Sequence, residues 1–507
     1  MPSPYRRYGP DGRQTFCKAV AQSDERVLLV RLFRRQLSHR LPAAMSSAKA
    51  LCDPPEAAEN AFRAKVRATS LDRPQGLSPG LYEIRAKLEL GAGPVGMQRG
   101  HALRTPACIP ASLLLVVFAV APSIADAQKA ASAETLAATP AMGWNSWNFF
   151  ATNVTDKDIR AAADNLIATG MKDAGYIYVN IDDSWQGERD ANGVLHTNSK
   201  FPDMKALADY VHSKGLKIGT YSGPGTKTCG GYAGSLGHEE QDAKMYAEWG
   251  IDYLKYDLCS YREDVMYKQA PNDKAAQMRL MIAAYEKMGK ALKATGRPIW
   301  FSLCNYGWDA TWEWAAALGG SSWRTTGDID PRWDRIYTIL EQQDGLARYA
   351  GPGHWNDLDI LEVGNGELTP AENRAHFSMW AMLSSPLLAG NDLPNMKPQI
   401  KAILTNKDVI AIDQDKLGHT ASRAYSDGEV EVWTRPLAGG AMAIALLEAG
   451  EGRYSTHPFH LNLEKLGLHG PQTGKNLWTG ETVTLTNGMP IELGLHDVLL
   501  VRVPEPK

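Results

Sequence analysis

GIDYLKYDLC (residues 250–259) reads as a buried β-strand that carries a lysine and an aspartate, two positions apart, near its end. Strand side chains alternate between faces, so Ile251, Tyr253, Lys255 and Asp257 share one side and Leu254, Tyr256 and Leu258 take the other. One face is apolar and the other ends in opposite charges. In isolation a K-x-D pattern fits a structural ion pair at a strand mouth better than it fits chemistry. The strands around it decide its meaning.

Short apolar runs recur along the chain with helical patterns between them. They are MGWNSW near 142, YIYVNID ending at Asp182, LKIGTYS ending at Ser222 and IDYLKYD ending at Asp257. PIWFSLC ending at Cys304, SWRTTGD ending at Asp328, HWNDLDI near Asp359 and SPLLAG near Leu388 follow. Between the first two, Thr155-Asp156-Lys157-Asp158 resembles a capping box, and Ile159, Ala163, Leu166, Ile167 and Met171 form an apolar stripe that predicts a helix. Eight such alternations over roughly 280 residues predict a (β/α)8 TIM barrel of the α/β class, spanning 138–420. An open doubly wound sheet would more often carry a Gly-rich phosphate loop after its first strand, and this sequence has none there. From 421 to 507 the pattern becomes short alternating runs, such as VEVWTRP, AMAIALLE, NLWTGETVTL and HDVLLVRVP, which predict a small antiparallel β-sandwich.

Asp182 and Asp183, Tyr221, Lys255 and Asp257, Cys304 and Asn305, Arg324 and Asp328, and Asp359 all fall at the carboxyl ends of these strands. Any one of them could be a helix cap or an ion-pair partner. In a barrel, however, those ends converge on one mouth, where catalysis takes place. Two Asp side chains on different strands, ringed by aromatics and neutral donors, suit retaining glycoside hydrolysis. One carboxylate attacks the anomeric carbon and the other protonates the leaving oxygen, at a separation of roughly 5 to 5.5 Å. Lys255 beside Asp257 is expected to favour the ionised nucleophile by Coulomb attraction.

The 507 residues are 44% hydrophobic with a net charge of −3, enough for a full-sized core and more than one domain. With no long basic run in the second half, the chain lacks an electrostatic footprint for nucleic acid. IPASLLLVVFAVAPSIADAQ (residues 109–128) is too short and interrupted for a membrane span. Met97, Arg99 and Arg104 precede it and Ala125-Asp126-Ala127 ends it, which reads as a secretory signal peptide over 97–127. Residues 1–96 then read as an upstream extension without sustained period. The expected product is secreted or periplasmic, cleaved near Ala127 and free of the membrane afterwards. Cleavage would leave Cys229, Cys259 and Cys304, enough for one disulfide and one thiol whose pairing the sequence alone leaves open.

At these residues the chain resembles glycoside hydrolase family 27, the α-galactosidase (melibiase) family. TPAMGWNSWNFF, NIDDSW, GSLGHEEQDAKMYAEWGIDYLKYDLC, FSLCNYGW, SWRTTGDI and AGPGHWNDLDILEVGN stand in family order and spacing from 139 to 420, with a looser match in the C-terminal sandwich. The resemblance implies that Asp257 is the nucleophile and Asp328 the general acid/base. It implies that Trp144, Asp182, Asp183, Tyr221, Lys255, Cys304 and Arg324 surround an α-galactoside, with Trp144 stacked on the ring and the Asp pair on its 4- and 6-hydroxyls. Asp359 joins this set as a strand-end residue. The resemblance also pairs Cys229 with Cys259 and leaves Cys304 a free thiol; separately, no cofactor and no metal are expected. The chain departs from the family pattern at Thr152 and Ser184, where cysteines are usual, at Gly223 in place of the Asp of Y-S-D-x-G, and at Asn305-Tyr306 in place of E-W. Asn305 is expected to bond the 2-hydroxyl through its amide.

Other readings share parts of this pattern. A β-L-arabinopyranosidase or an α-N-acetylgalactosaminidase would use the same scaffold, but family members preferring the pentose replace one of the Asp pair by glutamate, and both are Asp here. A Schiff-base aldolase could use Lys255, although Asp257 nearby would keep that lysine charged. A sugar-binding protein on an inactive barrel would have no need of both Asp257 and Asp328. Calcium at Asp182-Asp183 lacks the accompanying EF-hand loop. Oligomeric state and natural saccharide are not legible.

Overall fold

The computed structural model describes residues 136–450 and 459–505, so the expected extension and signal peptide lie outside the described residues. Each of the eight apolar runs forms a strand: β1 Met142–Asn145, β2 Tyr178–Asn180, β3 Lys217–Ser222, β4 Tyr253–Asp257, β5 Trp300–Cys304, β6 Ser322–Arg324, β7 Trp355–Asp357 and β8 Leu387–Ala389. They pair in parallel in the order β8-β1-β2-β3-β4-β5-β6-β7. A parallel bridge between Leu361, just past β7, and Ala389 of β8 brings the two ends of the sheet together, as a TIM barrel requires. Tyr178, Tyr253, Trp300 and Trp355 fill the barrel below the mouth, with the rings of Tyr253 and Trp300 stacked at 5.9 Å.

Helices α1 Asp156–Ala168, α2 Met204–Ser213, α3 Glu239–Trp249, α4 Lys274–Ala294, α5 Trp333–Glu341, α6 Pro370–Met382, α7 Pro398–Leu404 and α8 Lys407–Asp413 follow the strands. The predicted capping box opens α1: Thr155 accepts from the Asp158 amide while the Asp158 carboxylate accepts from the Thr155 amide at 2.9 Å. The apolar stripe is narrower than expected. Ile159, Ala162, Ala163 and Leu166 are buried, whereas Ile167, at the stripe's edge one residue from the helix end, is 41% exposed. Between β5 and β6 two 3₁₀ turns, Thr311–Glu313 and Ala315–Leu318, stand in place of a helix. A hairpin of Gln186–Arg189 and Leu195–Thr197 follows β2, which the sequence reading did not anticipate.

The C-terminal sheet runs antiparallel in the order β9 Ser422–Ser426, β10 Val430–Pro436, β11 Met442–Glu448, β14 Val498–Val503, β12 Gln472–Asn476, β13 Thr482–Leu485. Period-2 alternation gives it two apolar faces. Val432, Ile444, Leu446 and Val501 pack under the short pair Phe459–His460 and Pro490–Ile491, completing the sandwich. Trp433, Ala443, Ala445 and Leu500 face the other way and join the core of the barrel. The contact is made largely on α6. Buried Arg435 donates to the Ala381 carbonyl at 2.6 Å, Trp478 Nε1 to Ser378 Oγ at 2.9 Å, and Arg374 pairs with Asp497 at 2.9 Å.

Candidate active site

β4 ends on Asp257, which is 5% exposed, and both of its carboxylate oxygens meet phenols. Tyr306 donates to Oδ1 at 2.7 Å and Tyr221, from β3, donates to Oδ2 at 3.2 Å. Burial raises the carboxyl above the ordinary range; Lys255 opposes this most, followed by the Tyr306 hydrogen bond and Arg324, while Asp328 adds to it. Asp328 has a different environment. It lies four residues past β6, its side chain is 67% exposed, and its Oδ1 accepts from Arg324 Nη2 at 3.2 Å. One carboxylate is thus buried and held by two phenol donors, which favour its ionised form against the burial, and the other is open to water.

Lys255 favours the ionised Asp257 by Coulomb attraction, as expected, but without contacting it. Same-face residues two apart on a strand are roughly 6.6 Å apart along its axis, so Lys255 occupies the layer below. From there its Nζ reaches Asp182 Oδ2 at 3.0 Å, and Asn145 Nδ2 donates to the same oxygen at 2.9 Å. Asp183 accepts from the amides of Ser184 at 2.7 Å and Gly230 at 2.5 Å, and burial pushes its carboxyl up to about 6. On the opposite wall Arg324 is 2.7 Å from Asp359 Oδ2, with Nη1 3.8 Å from Cys304 Sγ. Lys255, Cys304, Arg324 and Asp359 line one cavity beneath the mouth with Asn145 and Ser302. Trp144 is held by a hydrogen bond from Nε1 to the Asn391 carbonyl at 3.0 Å and is 1% exposed, so it forms wall rather than an open platform.

Cys229 and Cys259 form a disulfide beside Asp257, and Cys304 is a buried free thiol whose pKa burial pushes up. Cys229, Cys259 and Asp257 are the one close grouping of metal-capable side chains among the described residues, but the two sulfurs are bonded to each other and only a carboxylate remains. Where the family pattern has a further cysteine pair, Lys200 Nζ donates to the Thr152 carbonyl at 2.6 Å and to Ser184 Oγ at 3.0 Å. At a second departure, a Cβ on Gly223 would lie 2.3 Å from the Asp257 carbonyl oxygen, so the missing side chain lets the chain after β3 approach the end of β4.

Asn305 does not face the mouth. It is fully buried, with Nδ2 donating to the Trp308 carbonyl at 3.1 Å and Oδ1 accepting from Thr311 Oγ1 at 2.5 Å. The next residue, Tyr306, has φ 62°, and this left-handed turn sends Asn305 inward and the tyrosine toward the carboxylate. Tyr306 was missed by the strand-end reading. The only sequence signal was that it stands in a departure from E-W.

The family description Alpha galactosidase A matches residues 139–415, and Alpha galactosidase C-terminal beta sandwich domain matches residues 427–503. The chain is 46% identical over 392 residues to the alpha-galactosidase A of Cellvibrio japonicus (strain Ueda107), covering 73% of this chain and 93% of that relative. Among solved structures it is similar to alpha-galactosidase I from Mortierella vinacea, with a TM-score of 0.68 and 36% identity, covering 73% of this chain and 98% of that one. It is also similar to the α-galactosidase from Saccharomyces cerevisiae with raffinose, with a TM-score of 0.65 and 31% identity, covering 73% and 98%.

Proposed function

The chain belongs to glycoside hydrolase family 27, the α-galactosidases, and on that footing we propose that Asp257 and Asp328 carry a double displacement at terminal α-galactosyl residues. The protein is a glycoside hydrolase acting on α-galactosides. In the first step an oxygen of Asp257 bonds to the anomeric carbon as the bond to the leaving oxygen breaks, and Asp328 gives that oxygen its proton. In the second, water attacks the same carbon, Asp328 takes a proton from it, and the bond to Asp257 breaks. Two inversions return the sugar as the α-anomer.

The observation that carries this reading is Asp257 at the end of β4 with a phenol donating to each carboxylate oxygen, which favours its ionised form, while Asp328 stands open to water. Asp182 and Asp183 are proposed to read the 4- and 6-hydroxyls, as carboxylates already fixed by Lys255 and by backbone amides. A site built to bond a hydroxyl rejects an analogue lacking it by up to about 10⁴-fold. Asp359 acts here through Arg324, which it anchors, and Asn305 drops out of the set that touches sugar. A panel of nitrophenyl glycosides tests the assignment. The expected ranking of kcat/KM is α-galactoside first, with β-L-arabinopyranoside and α-N-acetylgalactosaminide below it, and proton NMR of the first product should show α-galactose. An arabinoside preference or a β-anomer would overturn it.

We further infer export, from the apolar run ending at Ala125-Asp126-Ala127 and the Cys229–Cys259 disulfide. No described helix is long and apolar enough to cross a membrane. Amino-terminal sequencing of secreted material should begin near Gln128, and Met1 on that material would refute export through this signal.

A further inference from the structure

We propose that Tyr306 is a positioning residue for the nucleophile, its hydroxyl holding Asp257 Oδ1 at 2.7 Å, and that Asn305 is present to lock it there. The proposal rests on Asp257 being the nucleophile.

The loop after β5 is built around this contact. Tyr306, Gly307, Asp309 and Ala310 all have positive φ, at 62°, 75°, 53° and 51°. Such a run persists only where its surroundings over-determine it, and side chains held this way concentrate at functional sites. Two features clamp it. A Cβ on Gly307 would lie 2.0 Å from the Thr325 carbonyl oxygen, so the loop is pressed against the end of β6. Asn305 staples it from beneath, donating to Trp308 and accepting from Thr311. A carboxylate at 305 could accept from Thr311 but could not donate to the Trp308 carbonyl. The amide at 305 and the phenol at 306 therefore form a matched pair.

Behind the carboxylate stands the disulfide. Tyr306 Oη is 3.5 Å from Cys229 Sγ and Tyr221 Oη is 3.2 Å from Cys259 Sγ, so each phenol sits between one carboxylate oxygen and one sulfur. The groups facing Asp257 are Lys255 on its own strand, Tyr221 on β3, Tyr285 on α4, Cys304 and Tyr306 at and beyond the end of β5, and Arg324 and Asp328 from β6 and its loop. Burial and the neighbouring Asp257 raise the Tyr306 pKa, so the phenol stays a donor throughout the working range.

A donor on this carboxylate acts differently in the two steps. When Asp257 becomes an ester its charge disappears and the bond from Tyr306 weakens. When water displaces the ester, the carboxylate charge returns and the bond strengthens. The proton stays on Tyr306 throughout. The hydroxyl should therefore favour release of the sugar from Asp257 and hold the free carboxylate ionised to lower pH.

The test uses Tyr306→Phe and Asn305→Asp with 2,4-dinitrophenyl α-galactoside, whose leaving group needs no proton, so that kcat reports breakdown of the intermediate. Tyr306→Phe should lower kcat about tenfold. KM should fall with it as intermediate accumulates, and the acid limb of kcat/KM should move to higher pH. Asn305→Asp should move all three the same way but less far, and the double variant should match Tyr306→Phe alone, because both changes release one contact. An acid limb, kcat and KM unchanged in a Tyr306→Phe protein of native melting temperature would overturn the proposal. Asp257→Gly separates the two levels. If it retains turnover, the nucleophile assignment falls and takes this inference with it; if it is inactive while Tyr306→Phe changes nothing, only this inference falls.

Discussion

Lys255 Nζ lies 3.0 Å from Asp182 Oδ2, which leaves Asp257, two residues along the same strand, to the phenols of Tyr221 and Tyr306. The strand thus delivers one charge to each of two layers. The lower layer neutralises an aspartate that follows β2, and the upper layer presents a carboxylate with hydrogen-bond donors but no contacting cation.

Removing the lysine should be costly because it strands a buried carboxylate. Lys255→Met is expected to destabilise the fold by about 3–5 kcal/mol, the usual consequence of breaking a buried pair from one side. Lys255→Met with Asp182→Asn should recover much of that loss without restoring turnover. Urea unfolding of the two variants beside wild type checks this, and full stability in the single variant would contradict it.

For the reaction itself, Asp257→Gly should abolish turnover, with azide restoring some by occupying the vacated position. Asp328→Ala should cost roughly 10²–10⁴-fold on substrates whose leaving group needs a proton, and less on nitrophenyl galactosides. Equal losses on both substrate types would remove Asp328 from the acid role.

Asp183 introduces its own pH dependence. Its carboxyl is pushed up to about 6 by burial, so an acceptor that needs its charge weakens as pH falls through that value. Galactoside KM should therefore rise as pH falls below about 6, and this rise should vanish in Asp183→Asn, whose KM is high at every pH. A wild-type KM flat from pH 7 to 5 would exclude the effect.

Stability should carry a separate pH signature from Asp413 in α8, which is fully buried and pushed up to about 8 by burial despite the opposing pull of Arg435. Its folded pKa exceeds its unfolded one. The stability it contributes is thus fully present below the ordinary carboxylate pKa and is lost as pH rises through about 8. Asp413→Asn removes that loss, so its melting temperature should gain on wild type by a few degrees between pH 5 and pH 8. A difference independent of pH would refute this.

Gly223 is predicted to be obligatory in this chain. Its Cβ position is 2.3 Å from the Asp257 carbonyl oxygen, so Gly223→Asp, which restores the family's usual residue, has no room without moving Asp257. A loss of about 1–3 kcal/mol from overpacking is expected, together with a fall in kcat. Unchanged activity would show that the loop yields.

Much of this is legible in the sequence. The capping box at Thr155 and Asp158, the eight short strands and the convergence of their polar ends follow from patterns a few residues long, because alternation and helical periodicity are local properties of the backbone. Ile167 marks the limit of that logic: the period places it on the stripe's edge, and the edge turned out to face water.

What the sequence determined by itself is that polar residues gather where the barrel strands end, since a strand's extent and alternation are set by its own side chains. Only the tertiary structure decided which of them touch. Lys255 chose Asp182, distant in sequence, over Asp257 beside it, because two residues along a strand is one layer of the barrel while the neighbouring strands bring Asp182 within hydrogen-bond reach. Asn305 turned inward and Tyr306 toward the carboxylate through a single left-handed residue, held by local contacts to Trp308 and Thr311 and by the long-range contact to Asp257. A backbone angle that costs energy locally is chosen by the packing around it, and no local pattern of residues records that choice.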